Sequence, residues 1–255
     1  MGDLHKATNK GINMYREIDR DNLVVKLFYH PGPNPVKVAL FLEEADLPYE
    51  IVPIDIKKGD QHTPEFVSIN PNAKTPAIVD GDVTVFDSNA ILLYLADKTG
   101  QFLPEDTLPA RGQLLSWLLF IASGVGPYVG QAIFFKHMAP DPKGVALERY
   151  MYEAERHFQI LETHLSNRRY MLGDTYTIVD MAAWGWTCLV PRVMGEDGWA
   201  RFPELLRHNE EISARPAAQR VKALKDQHAF KIEMDEAAWK HMFRKVSFNP
   251  DNKIP

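Results

Sequence analysis

Residues 66–100 read FVSINPNAKTPAIVDGDVTVFDSNAILLYLADKTG, and the first half of the chain can be placed outward from them. The short apolar runs at 77–79 and 83–86 flank Asp80-Gly81-Asp82. Two such runs joined by an Asp-Gly turn predict a β-hairpin. Asp87-Ser88 then caps a strongly helical run, 89–98. Ahead of the hairpin, Asn70-Pro71-Asn72 marks a turn. In Lys74-Thr75-Pro76, Thr75–Pro76 is a candidate cis bond that would offer the Thr75 backbone to an extended ligand.

Further upstream, 63–68 reads as a short helix and 49–56 (YEIVPIDI) alternates like a strand. Residues 36–47 carry an apolar helical face that Asn34-Pro35 opens, because proline is tolerated where a helix's first N–H has no partner. Residues 23–29 (LVVKLFY) form an apolar, β-branched run that stops at Pro31-Gly32-Pro33. The order β-α-β, connection, β-β-α predicts a thioredoxin-like domain. Downstream the pattern is helical throughout: 110–137, interrupted near Gly124, Gly126 and Pro127, then 145–165, 179–193, 203–215, 216–228 and 235–246. The expected class is therefore α/β plus all-α. An N-terminal arm spans 1–22, the thioredoxin-like domain 23–104, an all-helical domain 109–230 and a C-terminal extension 231–255.

Composition narrows the function classes. Lys and Arg number 29 against 34 Asp and Glu, a formal balance of −5. That mild acidity carries no footprint for nucleic acid or an anionic membrane surface. The sequence shows no unbroken apolar stretch of membrane-helix length and no signal-peptide pattern, so a cytoplasmic, soluble protein is expected. Cys188 is the single cysteine, so no internal disulfide is available. No metal site is expected.

Four features of the first domain bear on chemistry. The helix opened by Asn34 presents unpaired N–H groups and a partial positive charge, which stabilise a nearby thiolate. Thr75 offers backbone hydrogen bonds. Ser88 and the N–H groups after it suit a carboxylate, while Asp87 suits an ammonium group, and an amino-acid headgroup carries both. Gln61 and Lys74 supply a neutral donor and a cation for a second carboxylate. Each has a plainer reading: a helix cap, an edge proline, a capping pair, solvated polar side chains.

The phrases FLEEADLPYE (41–50), FVSINPNAKTPAIVD (66–80) and VFDSNAILLYLADKTG (85–100) together resemble the glutathione-binding domain of the glutathione transferase superfamily. Leu172-Gly173-Asp174 and Thr177-Ile178-Val179-Asp180-Met181-Ala182 resemble that family's N-capping motif, a structural capping box with Asp at its fourth position. The resemblance covers about 24–225. It is nearest to the Nu-class group of glutathione-dependent disulfide reductases, which has a related glutathione-binding regulator in yeast. It implies that Gln61 and Lys74 hold the glycine carboxylate of glutathione, that Thr75 pairs with the cysteinyl part, and that Asp87 and Ser88 hold the γ-glutamyl headgroup. Arg149 is implied as a helper from the second domain, and the assembly as a homodimer.

Where the Ser and Cys classes of the family place the residue that activates the sulfur or bonds to it, this chain has Asn34, and Tyr29 is the one candidate for a Tyr-class role. Gly32 stands where the Nu-class pattern commonly carries Thr. Tyr29 lies within the strand alternation and reads as core, and Cys188 reads as a structural thiol in an apolar helix. The expected activity is thus that of a glutathione transferase-like enzyme which lowers the pKa of a bound thiol, with Asn34 as the catalytic residue. That thiolate would attack a disulfide or an electrophilic carbon. Conventional conjugation and a non-catalytic glutathione-binding module are the alternatives.

Overall fold

The computed structural model describes residues 24–246. The expected arm at 1–22 and the last part of the C-terminal extension lie outside them. β1 (Val25–Tyr29), α1 (Pro33–Glu44) and β2 (Tyr49–Pro53) form a β-α-β unit in which Leu27 lies opposite Ile51 in parallel register. α2 (Pro64–Ile69) leads to β3 (Ala77–Asp80) and β4 (Val83–Phe86), then α3 (Ser88–Thr99). β3 runs antiparallel to β1 and pairs with β4 across the expected hairpin, giving the order β2-β1-β3-β4. Gly81 takes φ of 60° in that turn, the left-handed region open to glycine at little cost. The first domain is thioredoxin-like.

α1 runs through the middle of the molecule. Val38, Ala39, Leu40, Phe41 and Leu42 are five consecutive buried residues, and a helix apolar all round must be covered all round. The sheet covers one side, and α3 and helices of the second domain cover the others. The two domains therefore share one continuous core.

The second domain comprises α4 (Leu108–Phe120), α5 (Gly126–His137), α6 (Gly144–Leu165), α7 (Ile178–Thr187), α8 (Val190–Met194), α9 (Pro203–Ser213) and α10 (Pro216–Ala223). The interruption expected near Gly124 and Pro127 is not a break. A π-helical turn, Ile121–Val125, joins α4 to α5, with the Gly126 N–H bonded to the Ile121 carbonyl. A wider turn of this kind absorbs a proline that has no N–H to give and whose ring crowds the preceding turn. The resulting rod, Leu108–His137, is long and apolar enough to cross a membrane by length and composition. Here Leu114, Leu118, Ile121, Val125, Val129 and Ala132 are buried in the shared core.

The helix expected over 179–193 is two helices. Pro191 in the first turn of α8 disfavours a continuing helix through the residue before it. The expected capping box is present: the Thr177 side chain accepts from Val179 N, and Asp180 Oδ2 accepts from Thr177 N at 2.8 Å. Asp180 also takes the Met171 N–H at 2.7 Å and His208 Nε2 at 3.0 Å, so one buried carboxylate ties three segments together. Beyond α10, the chain returns to the first domain and forms α11 (Glu236–Met242).

Candidate glutathione site

The sheet register brings the expected site residues to one edge. Phe28 pairs with Ala77, Ala77 with Phe86, and Tyr29 with Pro53. β1, β2 and β4 therefore end, and β3 begins, along a common line. The loops leaving that line carry 30–34, 54–61, 74–76 and 87–88. Ligands of open α/β sheets bind at such an edge, beyond the carboxyl ends of the parallel strands.

Asn34 is the second residue of α1. Pro33 and Pro35 on either side have no N–H, and Val36 N already bonds the Gly32 carbonyl. The backbone N–H of Asn34 is therefore the one donor from the first three helical residues available to a ligand. Its side-chain Oδ1 accepts from Ser88 Oγ at 3.2 Å and from the Trp186 indole Nε1 at 3.1 Å. The structure thus brings Asn34 and Ser88 together and adds a partner from the second domain.

At the next loop Asp87, at φ of 69°, caps α3: its Oδ1 accepts from Asn89 N at 2.9 Å and Ala90 N at 3.1 Å. The capping reading holds for that oxygen. Asp87 is exposed, and both capping bonds go to Oδ1, leaving Oδ2 out of the cap. The Thr75–Pro76 bond is cis. Asn70, which sequence reasoning noted only as a turn, is buried and shapes this loop, donating from Nδ2 to the Lys74 carbonyl at 2.5 Å. Lys74 is exposed.

Gln61 is placed differently from the expectation of a free carboxylate donor. It is buried, and its Nε2 donates to Ile56 O at 3.1 Å and His241 O at 3.2 Å. Its Oε1 is buried without a partner. The cover is the C-terminal segment. Phe230 packs edge-on to His30 at 4.9 Å, Lys231 N donates to Asp55 Oδ2 at 2.7 Å, and His62 Nε2 donates to His241 O at 2.9 Å. The Trp239 ring, 2% exposed, lies 4.6 Å from Phe243 and 6.4 Å from Phe134 of α5. α11 therefore bridges the two domains beside Gln61. Arg149 pairs with Glu153 on its own helix at 2.8 Å, and α6 packs against α5, α8 and α9 rather than against the first domain.

Two further residues went unmarked in the sequence. Lys37 is buried one turn beyond Asn34, and its Nζ donates to Asn89 Oδ1 at 3.0 Å. Burial lowers it to about 7, against the pull of the Asp87 carboxylate. A lysine inside an otherwise apolar run was the signal. Trp186 lies in the helical run 179–193, and no local signal links it to Asn34. Tyr29 is core as expected, 1% exposed, and burial pushes its phenol up to about 12, far from a neutral-pH activator. Cys188 stands at the C-terminal cap of α7 rather than inside the helix; its Sγ donates to Gly185 O at 3.3 Å and desolvation pushes the thiol up to about 11, in keeping with a structural thiol. Among the described residues, no cluster of three or more His, Cys, Asp or Glu is placed to hold a metal. A cavity of about 430 Å³ between β2 and α10, lined by Glu43, Tyr49, Arg220 and His228, contains none of the expected site residues.

Family models agree with this architecture. The glutathione S-transferase N-terminal domain matches residues 23–97, and the C-terminal domain matches residues 125–216. The chain belongs to the glutathione S-transferase family. It is 40% identical over 201 residues to the disulfide-bond oxidoreductase YfcG of Escherichia coli K12, covering 76% of this chain and 92% of that one. A glutathione transferase from Burkholderia graminis, solved with two glutathione molecules per subunit, superimposes with a TM-score of 0.74 at 38% identity. That match covers 80% of this chain and 90% of the other. One from Pseudomonas putida, solved with one glutathione disulfide per subunit, gives 0.72 at 38% identity over 78% and 90%. The segment Phe230 to Val246 lies beyond the last residue that either family model matches.

Proposed function

We propose that this protein is a glutathione-dependent disulfide reductase that holds the glutathione thiolate at the start of α1. The observation that carries the reading is Asn34. Between two prolines, it presents a backbone N–H and a side-chain amide whose carbonyl is already occupied, so its amine hydrogens are left to donate. Donors aimed at a sulfur favour the thiolate over the thiol, whose ordinary pKa is about 8.5. Thr75 pairs with the ligand backbone. Ser88 N–H and Oδ2 of Asp87 take the carboxylate and ammonium of the γ-glutamyl end, and Lys74 takes the glycine carboxylate. Gln61 joins Lys74 when its amide is released from His241. Arg149 reaches the ligand only if it leaves Glu153.

The thiolate attacks one sulfur of a disulfide, forming a glutathione mixed disulfide and expelling the other sulfur as a thiolate, which takes up a proton. A second glutathione thiolate attacks the mixed disulfide on its glutathione sulfur. The products are glutathione disulfide and two reduced thiols, so one disulfide bond is broken and one formed. The identities to YfcG and to glutathione-bound transferases support this reading over conjugation to an electrophilic carbon. We place the enzyme in a reducing, cytoplasmic setting, because it has one cysteine and acts through thiols. The exposed Phe86 and Val83 of β4, with Leu119 and Tyr152 of the helical domain, support a homodimer, which light scattering tests. The function is tested by following glutathione disulfide formation from glutathione and a small symmetric disulfide. Turnover no faster than the uncatalysed exchange, with binding retained, would leave the regulatory-module reading, which the lack of a Tyr, Ser or Cys activator favours.

A further inference from the structure

The contact between Asn34 and Trp186 spans 152 residues of sequence and both domains. An indole N–H donates and never accepts, so the atom facing it must be the amide oxygen of Asn34. The Ser88 hydroxyl, at 3.2 Å, converges on the same oxygen. The amide cannot turn over without setting its NH2 group against the indole N–H, which would then have no acceptor. Nδ2 is therefore fixed on the opposite side, and among the described residues it has no protein partner.

The indole is itself held. Gly126 and Gly130 are one turn apart on α5, and a Cβ at Gly126 would come within 3.1 Å of the Trp186 ring. At Gly130 the nearest ring atom would lie at 3.7 Å. The two glycines make a flat slot for the ring, which is 8% exposed. Next to it, a Cβ on Gly185 would overlap the Pro33 carbonyl oxygen, so α7 meets the start of α1 backbone to backbone.

We propose that Trp186 is a positioning residue for the thiol chemistry: its indole N–H locks the Asn34 amide so that Nδ2 donates to the bound sulfur. The second domain thereby helps set the thiolate's stability without touching the ligand. This inference rests on the role given above to Asn34. The other titratable groups around this end of the sheet include His30, Lys37, Lys74 and Asp87, with Asp55, Lys57, Lys58, Asp60 and His62 on the next loop and Lys231 and His241 on the segment over it, and every variant below retains them.

The test reads the thiolate absorbance of protein-bound glutathione against pH, with no disulfide substrate present. Trp186→Phe keeps a ring in the glycine slot and deletes the N–H. It is expected to raise the thiolate midpoint by roughly 0.5–1 pH unit, part of what a full charge-assisted hydrogen bond provides. Glutathione affinity should stay within about two-fold, while kcat at pH 7 falls by about three- to ten-fold, as a thiolate fraction of that midpoint dictates. If Trp186→Phe does not fold, benzothienylalanine at position 186 preserves the bicyclic shape and replaces the N–H by sulfur. Asn34→Ala separates the two claims. Should Asn34→Ala move the midpoint while the Trp186 variants do not, the lock is overturned and the role of Asn34 stands. If none of them moves it, the reading of Asn34 fails as well.

Discussion

The Lys37 ammonium and the side-chain carbonyl of Asn89 meet at 3.0 Å beneath the candidate site, and both residues are buried. Asn89 passes the link on by donating to the Leu118 carbonyl at 3.3 Å, so α1, α3 and α4 are joined through one lysine. A charge so placed has consequences for stability. Burial lowers Lys37 from 10.5 to about 7, so between those values the unfolded chain holds a proton that the folded chain has released. Stability therefore rises with pH across that window and carries the full penalty below pH 7. Lys37→Met should compare most favourably with the wild type near pH 6 and least favourably near pH 9, where the neutral amine costs little and its loss strands the Asn89 carbonyl. Urea unfolding of both proteins at pH 6, 7.5 and 9 checks this, and parallel stability curves would refute it.

Asn34→Ala is expected to lower kcat for disulfide reduction by about 10- to 100-fold, the range of one lost hydrogen bond to a charged group. The KM for glutathione should change by no more than a few fold, because Thr75, Asp87, Ser88 and Lys74 remain. Steady-state kinetics with glutathione varied at saturating disulfide separates the two parameters. A large rise in KM at constant kcat would make Asn34 a binding residue instead.

Trp239→Ala removes the ring that, with Phe243 at the end of the same helix, docks α11 on Phe134 of α5, and its truncation costs about 3–5 kcal/mol if the site does not collapse. That cost should fall first on residues 230–246, which touch the rest of the chain through a few hydrogen bonds and rings. Limited proteolysis is expected to clip this segment while the remaining body keeps its melting temperature. Release of α11 also frees Gln61 Nε2 from His241 O, so glutathione should bind more tightly to this variant by calorimetry. Unchanged affinity would mean that Gln61 takes no part in holding the ligand.

Asp180→Ala leaves the buried N–H groups of Thr177 and Met171 and the His208 ring without their acceptor. Each of the three stranded buried donors costs about 1–3 kcal/mol, so a loss of at least about 3 kcal/mol is expected. Activity per folded molecule should be nearly unchanged, since the box supports the fold from the far end of α7. Denaturant titration and active-site titration, run together, distinguish this from a catalytic role.

What the sequence determined by itself was whatever local physics encodes. The Asp-Gly turn with its flanking alternation placed β3 and β4. Asp87-Ser88 placed the start of α3, and Thr177 with Asp180 placed the start of α7, because caps and tight turns are settled by residues within four positions of one another. That Asn34, Thr75 and Ser88 share an edge was implied by the family resemblance, and the strand order is what brings those loops together. The tertiary structure alone decided the rest. Nothing near Asn34 in sequence announces that its amide faces an indole 152 residues away, or that Gln61 is capped by a carbonyl 180 residues away. It also decided that the glycines and proline of 124–127 would bend into a π-turn rather than end a helix, because buried apolar faces on both sides made one continuous rod worth keeping. Hydrogen bonds between distant residues depend on which surfaces the core brings into contact, and that is fixed by the packing of all the apolar faces at once.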